Sequence, residues 1–386
     1  MKIDTTPQIL GVSLGMLIID EIRMPNKPPL RNIIGGSSTF VTLGLRLFAS
    51  DPSSVGCLIL AGSDFPPSVE DEVKAWKTTL VLQKDATKRS SRGQLVYEDT
   101  TFGPKTFEYT TPPIRATPDH LSNTPLLRAR TFHFFGRPEE ILAQVPELLH
   151  LRHCHDPSLP RPLIVWEPLP SSCHPSALTT FLSACKLVDV FSPNHLELAA
   201  LFNDAESRGK PTPFPEVAPT LPHLTSLGAV FVDAGIGPHS SGTVVVRAGA
   251  DGAFALAKSA SAATTPGHVH VQVPAFYALG SGEVVDATGA GNAFLGGYMA
   301  GWLRAMERGN PSLHDQSRDD VRDDGRLRQV LRGALCCGAV AASFALEQIG
   351  LPGVERVDSA VGQRRLVEFV ARLEMEEQKR RKVGVE

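Results

Sequence analysis

A glycine-rich turn near residue 290 carries the chemistry that is easiest to read from the sequence. Residues 286–292 read Asp-Ala-Thr-Gly-Ala-Gly-Asn, follow a predicted short strand (283–286), and lead into a segment with apolar residues at helical spacing. A buried helix that begins here presents the unpaired backbone N–H groups of Ala290, Gly291 and Asn292 and the positive end of its dipole. Because glycines let an anion approach closely, the turn predicts a seat for phosphate oxygens. A tight turn with an ordinary helix cap is the alternative.

Asn194 and Glu197 open another predicted helix, directly after a buried strand. Asn at the N-cap and Glu three residues later also make a capping box, so on its own the pair is explained by helix capping.

One carboxylate near the N-terminus is chemically suited to a hydroxylated ligand. Asp20 lies near the end of a predicted strand, and its carboxylate can accept two or more hydrogen bonds from a polyol; a solvated strand-end aspartate is the alternative. The pair Gly35 and Gly36 follows, at the start of the run Gly-Gly-Ser-Ser-Thr-Phe at 35–40. Farther along, Asp233, Gly235 and Gly237 form a second glycine-containing segment after a predicted strand.

The elements that position these residues alternate between strands and helices, which favours an α/β fold with a mainly parallel sheet and helices on both faces. The predicted strands are 8–12, 16–22, 54–60, 131–135, 162–166, 187–191, 229–232 and 243–247, and the predicted helices are 38–48, 69–76, 139–149, 175–185, 195–202, 293–307 and 327–348. Residues 79–111 hold β-favouring runs without a helix and predict a small antiparallel flap. Surface insertions are predicted at 205–222, 248–268 and 307–326, and a charged tail at 374–386 after one domain, 1–373.

Composition excludes several classes of protein. The chain has 386 residues, 42% hydrophobic and 20% charged, with a net charge of -3, so binding of nucleic acid through bulk positive charge is not expected. The longest small-apolar stretch, 333–346, is too short to cross a bilayer, which predicts no membrane association. Six irregularly spaced cysteines without a C-x-x-C pair, and no leader-like N-terminus, predict a cytoplasmic protein.

Taken together, the turn at 286–292 and the element around Asn194 resemble the signatures of the PfkB, or ribokinase-like, carbohydrate kinases. The resemblance implies a three-layer sandwich with a small β lid, from about 16–34 and 79–111, over a small polyol or sugar substrate. It implies ATP as the phosphate donor, with its transferring phosphoryl group in an anion hole, and Mg²⁺ and K⁺ as ions. It also suggests a homodimer formed through the lid.

The same resemblance assigns roles to individual residues. Substrate contacts fall to Asp20, Gly35, Gly36 and Phe40; the anion hole to Gly289, Ala290 and Gly291; nucleotide contacts to Asn194, Asp233, Gly235, Gly237 and Thr288; magnesium, through water, to Glu197; and a monovalent cation to Asp286.

Two residues depart from the family pattern. Asn292 stands where the family has the aspartate that takes the proton of the sugar hydroxyl, and an amide is no base near neutral pH. Phe40 replaces a substrate-binding asparagine, which predicts stacking on a ring instead of hydrogen bonding. The pair of departures resembles the maintenance-of-killer branch of the family.

The sequence therefore predicts an ATP-dependent carbohydrate kinase-like enzyme, in which Asn292 orients the hydroxyl. The rival is a pseudokinase that binds nucleotide without turnover. A dinucleotide-dependent oxidoreductase is disfavoured, because the glycine turn lies late in the chain and lacks a Rossmann unit with an acidic residue about 20 positions on.

Overall fold

A twisted seven-stranded sheet organises the computed structural model, which describes residues 8–99, 105–203, 219–260, 267–309 and 323–383. Five neighbouring strands pair in parallel, and the last two pairings at one edge are antiparallel. In spatial order they are β1 (Gly11–Ser13), β8 (Thr131–Gly136), β9 (Leu163–Pro168), β10 (Val190–Phe191), β11 (Thr243–Arg247), β12 (Ala253–Lys258) and β13 (His268–Val273). A parallel pair, β4 (Gly56–Gly62) and β5 (Thr79–Asp85), adjoins β1 through a bridge between Gly11 and Val55.

Helices cover both faces of this sheet. One face carries α1 (Ser37–Arg46), α2 (Pro67–Ala75), α7 (Ala290–Gly309), α8 (Asp324–Leu346) and α9 (Ser359–Val383). The other carries α3 (Pro138–His155), α4 (Leu178–Cys185), α5 (His195–Ala200) and α6 (Leu221–Ala234). Alternate residues of β9 enter the two cores, Val165 on one side and Ile164 and Trp166 on the other. The predicted three-layer α/β sandwich is confirmed.

A separate four-stranded sheet forms the lid. Its strands lie in the order β3 (Leu30–Gly35), β2 (Ile18–Arg23), β6 (Arg92–Tyr97) and β7 (Lys105–Tyr109). The lid is mixed, because β2 and β6 run parallel and the outer pairs antiparallel, so the prediction of an antiparallel flap is wrong in that detail. The predicted lid segment 79–111 also included β5, which pairs with β4 instead.

Three other predicted elements differ in the structure. The predicted strand 229–232 is the C-terminal part of α6, which ends at Gly235. The predicted insertion 248–268 contains β12, a buried strand of the main sheet. The predicted strand 283–286 is irregular backbone, tied to the core where the Val285 and Asp286 amides donate to the Leu346 carbonyl.

Two more predictions concern the chain's polar segments. Most of the predicted insertions 205–222 and 307–326 falls on residues 204–218 and 310–322, outside the described residues. The charged C-terminal segment is helical as far as Val383.

One helix of the described chain, α8, is long and apolar enough to cross a membrane. In the structure 72% of its most apolar window is buried, against α7 and the sheet. Packing inside the fold therefore accounts for its apolar composition.

Candidate active site

The N-terminus of α7 lies in the predicted glycine turn and is held there by close helix packing. A Cβ on Gly296 would lie 2.1 Å from the Val41 carbonyl oxygen of α1, and one on Gly297 would lie 2.4 Å from the Cys337 carbonyl oxygen of α8. Only glycine lets three helices approach so closely. The start of α7 is therefore fixed by backbone contacts.

Asp286 shapes the turn itself. Its Oδ1 accepts hydrogen bonds from the Thr288 amide at 3.1 Å and the Thr288 hydroxyl at 2.9 Å. Gly289 follows with a φ of +76°, a conformation that favours glycine. The Ala290 amide donates to the Ala287 carbonyl at 3.3 Å, so the first fully orphaned donors of α7 are the amides after it.

A buried chain of charged side chains crosses the carboxyl ends of the strands beside this turn. Glu167, at the end of β9, is 4% exposed. Its Oε2 accepts from Asn292 Nδ2 at 2.6 Å and lies 3.1 Å from His133 Nε2, while its Oε1 accepts from Arg247 Nη1 at 2.6 Å. Asn292 thus points its amide donor at a carboxylate that belongs to another element.

Arg247, at the end of β11, links these buried charged side chains to the glycine turn. Its Nη2 donates to the Ser192 carbonyl at 3.0 Å and to Glu197 Oε2 at 3.4 Å. A Cβ on Gly291 would lie 2.3 Å from Arg247 Nη1, so the guanidinium lies directly against the predicted phosphate seat. Its positive charge is suited to an anion there, and glycine is required to admit it.

Arg247 favours the ionised form of both neighbouring carboxyls, but outweighs burial only at Glu167. Burial alone would raise the pKa of Glu167, but Arg247, His133 and Asn292 outweigh it and hold that pKa below the ordinary value. Burial raises the pKa of Glu197 to about 7, against the attraction of the same guanidinium.

The Asn194 and Glu197 pair forms the capping box that the sequence predicts. The Asn194 backbone amide and Nδ2 each donate to Glu197 at 2.7 Å, and Asn194 Oδ1 accepts from the Leu196 and Glu197 amides. Among the described residues, Glu197 Oε1 accepts a hydrogen bond from Asn194 alone, so it keeps acceptor capacity for one metal-bound water. No group of three metal-ligating side chains occurs among the described residues.

The lid contacts the turn through two side chains. Tyr97 donates its hydroxyl to Asp286 Oδ2 at 2.8 Å, and Lys105 Nζ donates to Asp286 Oδ1 at 2.8 Å and to Thr288 Oγ1. Burial would raise the pKa of Asp286, but these donors hold it below its ordinary value. Both oxygens of the carboxylate predicted to face K⁺ are therefore engaged by the chain itself.

Asp20 lies under the lid and lacks a full set of partners. Its side chain is packed between Gly35 and Gly93, where a Cβ would lie 2.1 and 2.6 Å from its oxygens. The residue is 5% exposed, its Oδ1 accepts no hydrogen bond from the described residues, and burial raises its pKa to about 7. A buried carboxyl oxygen without a donor is suited to a ligand hydroxyl.

Phe40 does not lie where a substrate could stack on it. The residue is 1% exposed, packs with Ala293 and Ala345, and lies beneath the turn, 2.3 Å from where a Cβ on Gly289 would be. The prediction that its ring replaces a substrate-binding amide is wrong for this structure. Gly36 is the N-cap of α1, with a φ of +96°, close to the Met16 carbonyl.

Asp233, Gly235 and Gly237 are at the other edge of the sheet, so their assignment to the nucleotide is wrong. The Gly237 amide donates to the Cys185 carbonyl, close to Val188 before the amino end of β10, and Asp233 pairs with His268. The glycine turn at the carboxyl edge is instead 249–252, directly after Arg247. There a Cβ on Gly249 would lie 3.4 Å from His195, beside the capping box.

Sequence reasoning missed five side chains that the structure brings to the site. They are Tyr97, Lys105, His133, Glu167 and Arg247. A usable signal existed for two: Glu167 and Arg247 are single charged residues at the carboxyl ends of apolar strands, the edge where ligands bind in parallel sheets.

Comparisons with known proteins place these features in context. Residues 121–351 match the family described as pfkB family carbohydrate kinase. An uncharacterized protein of Schizosaccharomyces pombe is 33% identical over 354 residues, covering 88% of this chain and 85% of that protein. Protein MAK32 of Saccharomyces cerevisiae is 26% identical over 359 residues, covering 90% and 87%, which confirms the resemblance to the maintenance-of-killer branch.

Solved structures agree on the fold. A ribokinase from Giardia lamblia superposes with a TM-score of 0.63 at 15% identity, covering 93% of this chain and 99% of its own. A fructokinase with bound ATP from Xylella fastidiosa gives 0.60 at 16% identity, covering 94% and 98%. The ribokinase-like fold is confirmed.

Proposed function

The chain belongs to the pfkB family of carbohydrate kinases, and from that premise we propose that it is an ATP-dependent phosphotransferase acting on a hydroxyl of a small sugar or polyol. The observation that carries this proposal is the Arg247 guanidinium against Gly291 at the N-terminus of α7. A guanidinium and a helix N-terminus at one point favour bound phosphate oxygens. The binding test is a titration with ATP and ADP; no affinity for either nucleotide would contradict the proposal.

In this proposal Asp20 and the Arg247 turn region have separate tasks. Asp20 accepts hydrogen bonds from the substrate hydroxyls once the lid admits them. Arg247 and the first amides of α7 bind and orient the transferring phosphoryl group, a reaction that depends mainly on positioning and charge stabilisation. Glu197 would accept a hydrogen bond from a water of the Mg²⁺ that binds with ATP, and that ion would offset phosphate charge. We also propose a cytoplasmic homodimer formed through the lid, whose outer strand β7 exposes Phe107 and Tyr109.

A pseudokinase is the second candidate, and one observation favours it. Asn292 donates its side-chain amide to Glu167, so the family's proton acceptor is replaced by a donor that is already engaged. Without a base, turnover is expected to be slower by about 10²–10⁴.

Moving the carboxylate from residue 167 to residue 292 distinguishes the kinase from the pseudokinase. Asn292→Asp alone places a second carboxylate 2.6 Å from Glu167 Oε2, and we expect a fall in thermal stability with no gain in rate. Asn292→Asp with Glu167→Gln restores one negative charge and provides a base at the turn. For a working kinase we expect this double variant to be faster than the native protein by about 10²–10⁴.

The measurement is ADP release over a panel of sugars, polyols and nucleosides, with the melting temperature of each variant. Glu167→Gln alone is the matched control for loss of the carboxylate. ATP binding without ADP release in the native protein and the double variant would establish the pseudokinase. An Asn292→Asp variant as stable as the native protein would contradict the like-charge contact.

A further inference from the structure

Lys105 lies where the sequence predicts a monovalent metal ion. Its ammonium group contacts three oxygens: Asp286 Oδ1 at 2.8 Å, the Tyr97 hydroxyl at 3.3 Å, and Thr288 Oγ1. An ammonium has three donors and no acceptor, so this oxygen cage satisfies it. The carboxylate is 2% exposed and the lysine side chain 26% exposed, so the pair is partly shielded from solvent.

A metal ion and Lys105 cannot share this carboxylate. Asp286 Oδ1 already accepts from Lys105 and from two groups of Thr288, and Oδ2 accepts from Tyr97. A K⁺ ion on either oxygen would meet the ammonium as a like charge at contact distance, which is costly in a buried site. The residues present therefore do not fit the potassium that the family resemblance implies.

We propose that Lys105 serves as a built-in monovalent cation, which makes the phosphate-binding turn independent of potassium and forms only when the lid is closed. Tyr97 and Lys105 are opposite each other across strands β6 and β7, so one rung of the lid provides both contacts to Asp286. The Asp286 carboxylate also holds the Thr288 amide and so fixes the turn. Opening the lid would remove Lys105, the cation that pairs with this carboxylate. That the turn binds the phosphates of ATP rests on the proposed function. That Lys105 replaces a monovalent cation at Asp286 does not.

The test is thermal unfolding without nucleotide, in chlorides of potassium, ammonium and N-methylglucamine at matched ionic strength. The native protein is expected to melt at one temperature in all three salts. Lys105→Met leaves Asp286 without its cation, and its melting temperature in N-methylglucamine chloride is expected to fall by roughly 3–5 °C. Potassium or ammonium should raise the melting temperature of this variant most of the way back.

Lys105→Met with Asp286→Asn is the matched control, because it removes both charges and should show no cation response. Stabilisation of the native protein by potassium over N-methylglucamine would overturn the proposal, and this arm needs no variant to fold. An equal response of Lys105→Met to all three salts would also overturn it. Since no nucleotide is present, a protein that fails to bind ATP can still pass, so the two proposals fail separately.

Discussion

Replacing Arg247 with methionine is expected to lower the free energy of unfolding by about 3–5 kcal/mol, the usual cost of removing one partner from a buried ion pair. Its guanidinium is the cation that contacts both Glu167 and Glu197, each 4% exposed. Without it two buried carboxylates lie near each other, and the pKa of each must rise. In the folded variant these carboxyl groups therefore retain protons that the unfolded chain loses. The loss of stability relative to the native protein should accordingly be larger at pH 8 than at pH 6.

The measurement is urea denaturation at both pH values, combined with ATP titration. The matched control carries Arg247→Met with Glu167→Gln and Glu197→Gln, which removes the stranded charges. We expect this control to regain much of the stability and none of the ATP affinity, because the phosphate seat still lacks its cation. If Arg247→Met alone is as stable as the native protein, Arg247 does not stabilise the buried carboxylates of Glu167 and Glu197. Full ATP affinity in the triple variant would remove Arg247 from the proposed site.

Local sequence patterns predicted the parts of the site that local structure makes. The glycine turn before α7 and the Asn194 capping box depend on residues within about one helical turn of each other, and both have the expected geometry. The close helix packing was predictable for the same reason, since small residues recur along α7.

The charged chain could not be predicted this way, because its contacts join residues far apart in sequence. Asn292 and Glu167 are 125 positions apart, and Arg247 and Glu167 are 80 apart. Only the strand order of the sheet brings them together. Periodicity also failed at 229–232, where a short apolar run is compatible with a strand or with the end of a helix.

The structure also changes the meaning of Asn292. From sequence it is the loss of a carboxylate; in space, the Glu167 carboxylate from β9 lies 2.6 Å from the Asn292 amide. The site therefore holds a negative charge beside Asn292, paired with Arg247. Asn292 and Glu167 must accordingly be varied together, because changing either alone alters the charge balance of the whole chain.

Asp20→Asn is expected to stabilise the folded protein while weakening substrate binding. Burial raises the pKa of Asp20 from 3.8 to about 7, so the native state retains a proton that the unfolded chain releases above pH 4. Native stability therefore falls as pH rises from about 4 to 7 and then levels. A shift of this size corresponds to about 4 kcal/mol, and part of it is offset because the new amide is also buried without partners. We expect a gain of about 2–4 kcal/mol at pH 8 and little gain at pH 4.

Asp64→Asn is the matched control, because the pKa of Asp64 is lowered where that of Asp20 is raised. Despite partial burial, hydrogen bonds from Ser90 and Arg92 hold the pKa of Asp64 at about 2, so its contribution is present above pH 4 and is lost as pH falls toward 2. That variant should be less stable than the native protein at pH 8.

The pH dependence of the difference between native protein and Asp20→Asn isolates Asp20 from Glu197, whose pKa is also about 7. The measurement is urea unfolding from pH 4 to pH 8, with substrate affinity measured at pH 8. A hydrogen bond to a carboxylate is stronger than one to an amide by about 1–2 kcal/mol, so affinity for a polyol should fall about 10-fold. A stability difference that does not change with pH would contradict the raised pKa. Unchanged affinity would show that Asp20 does not bind substrate hydroxyls, and that its buried charge needs another explanation.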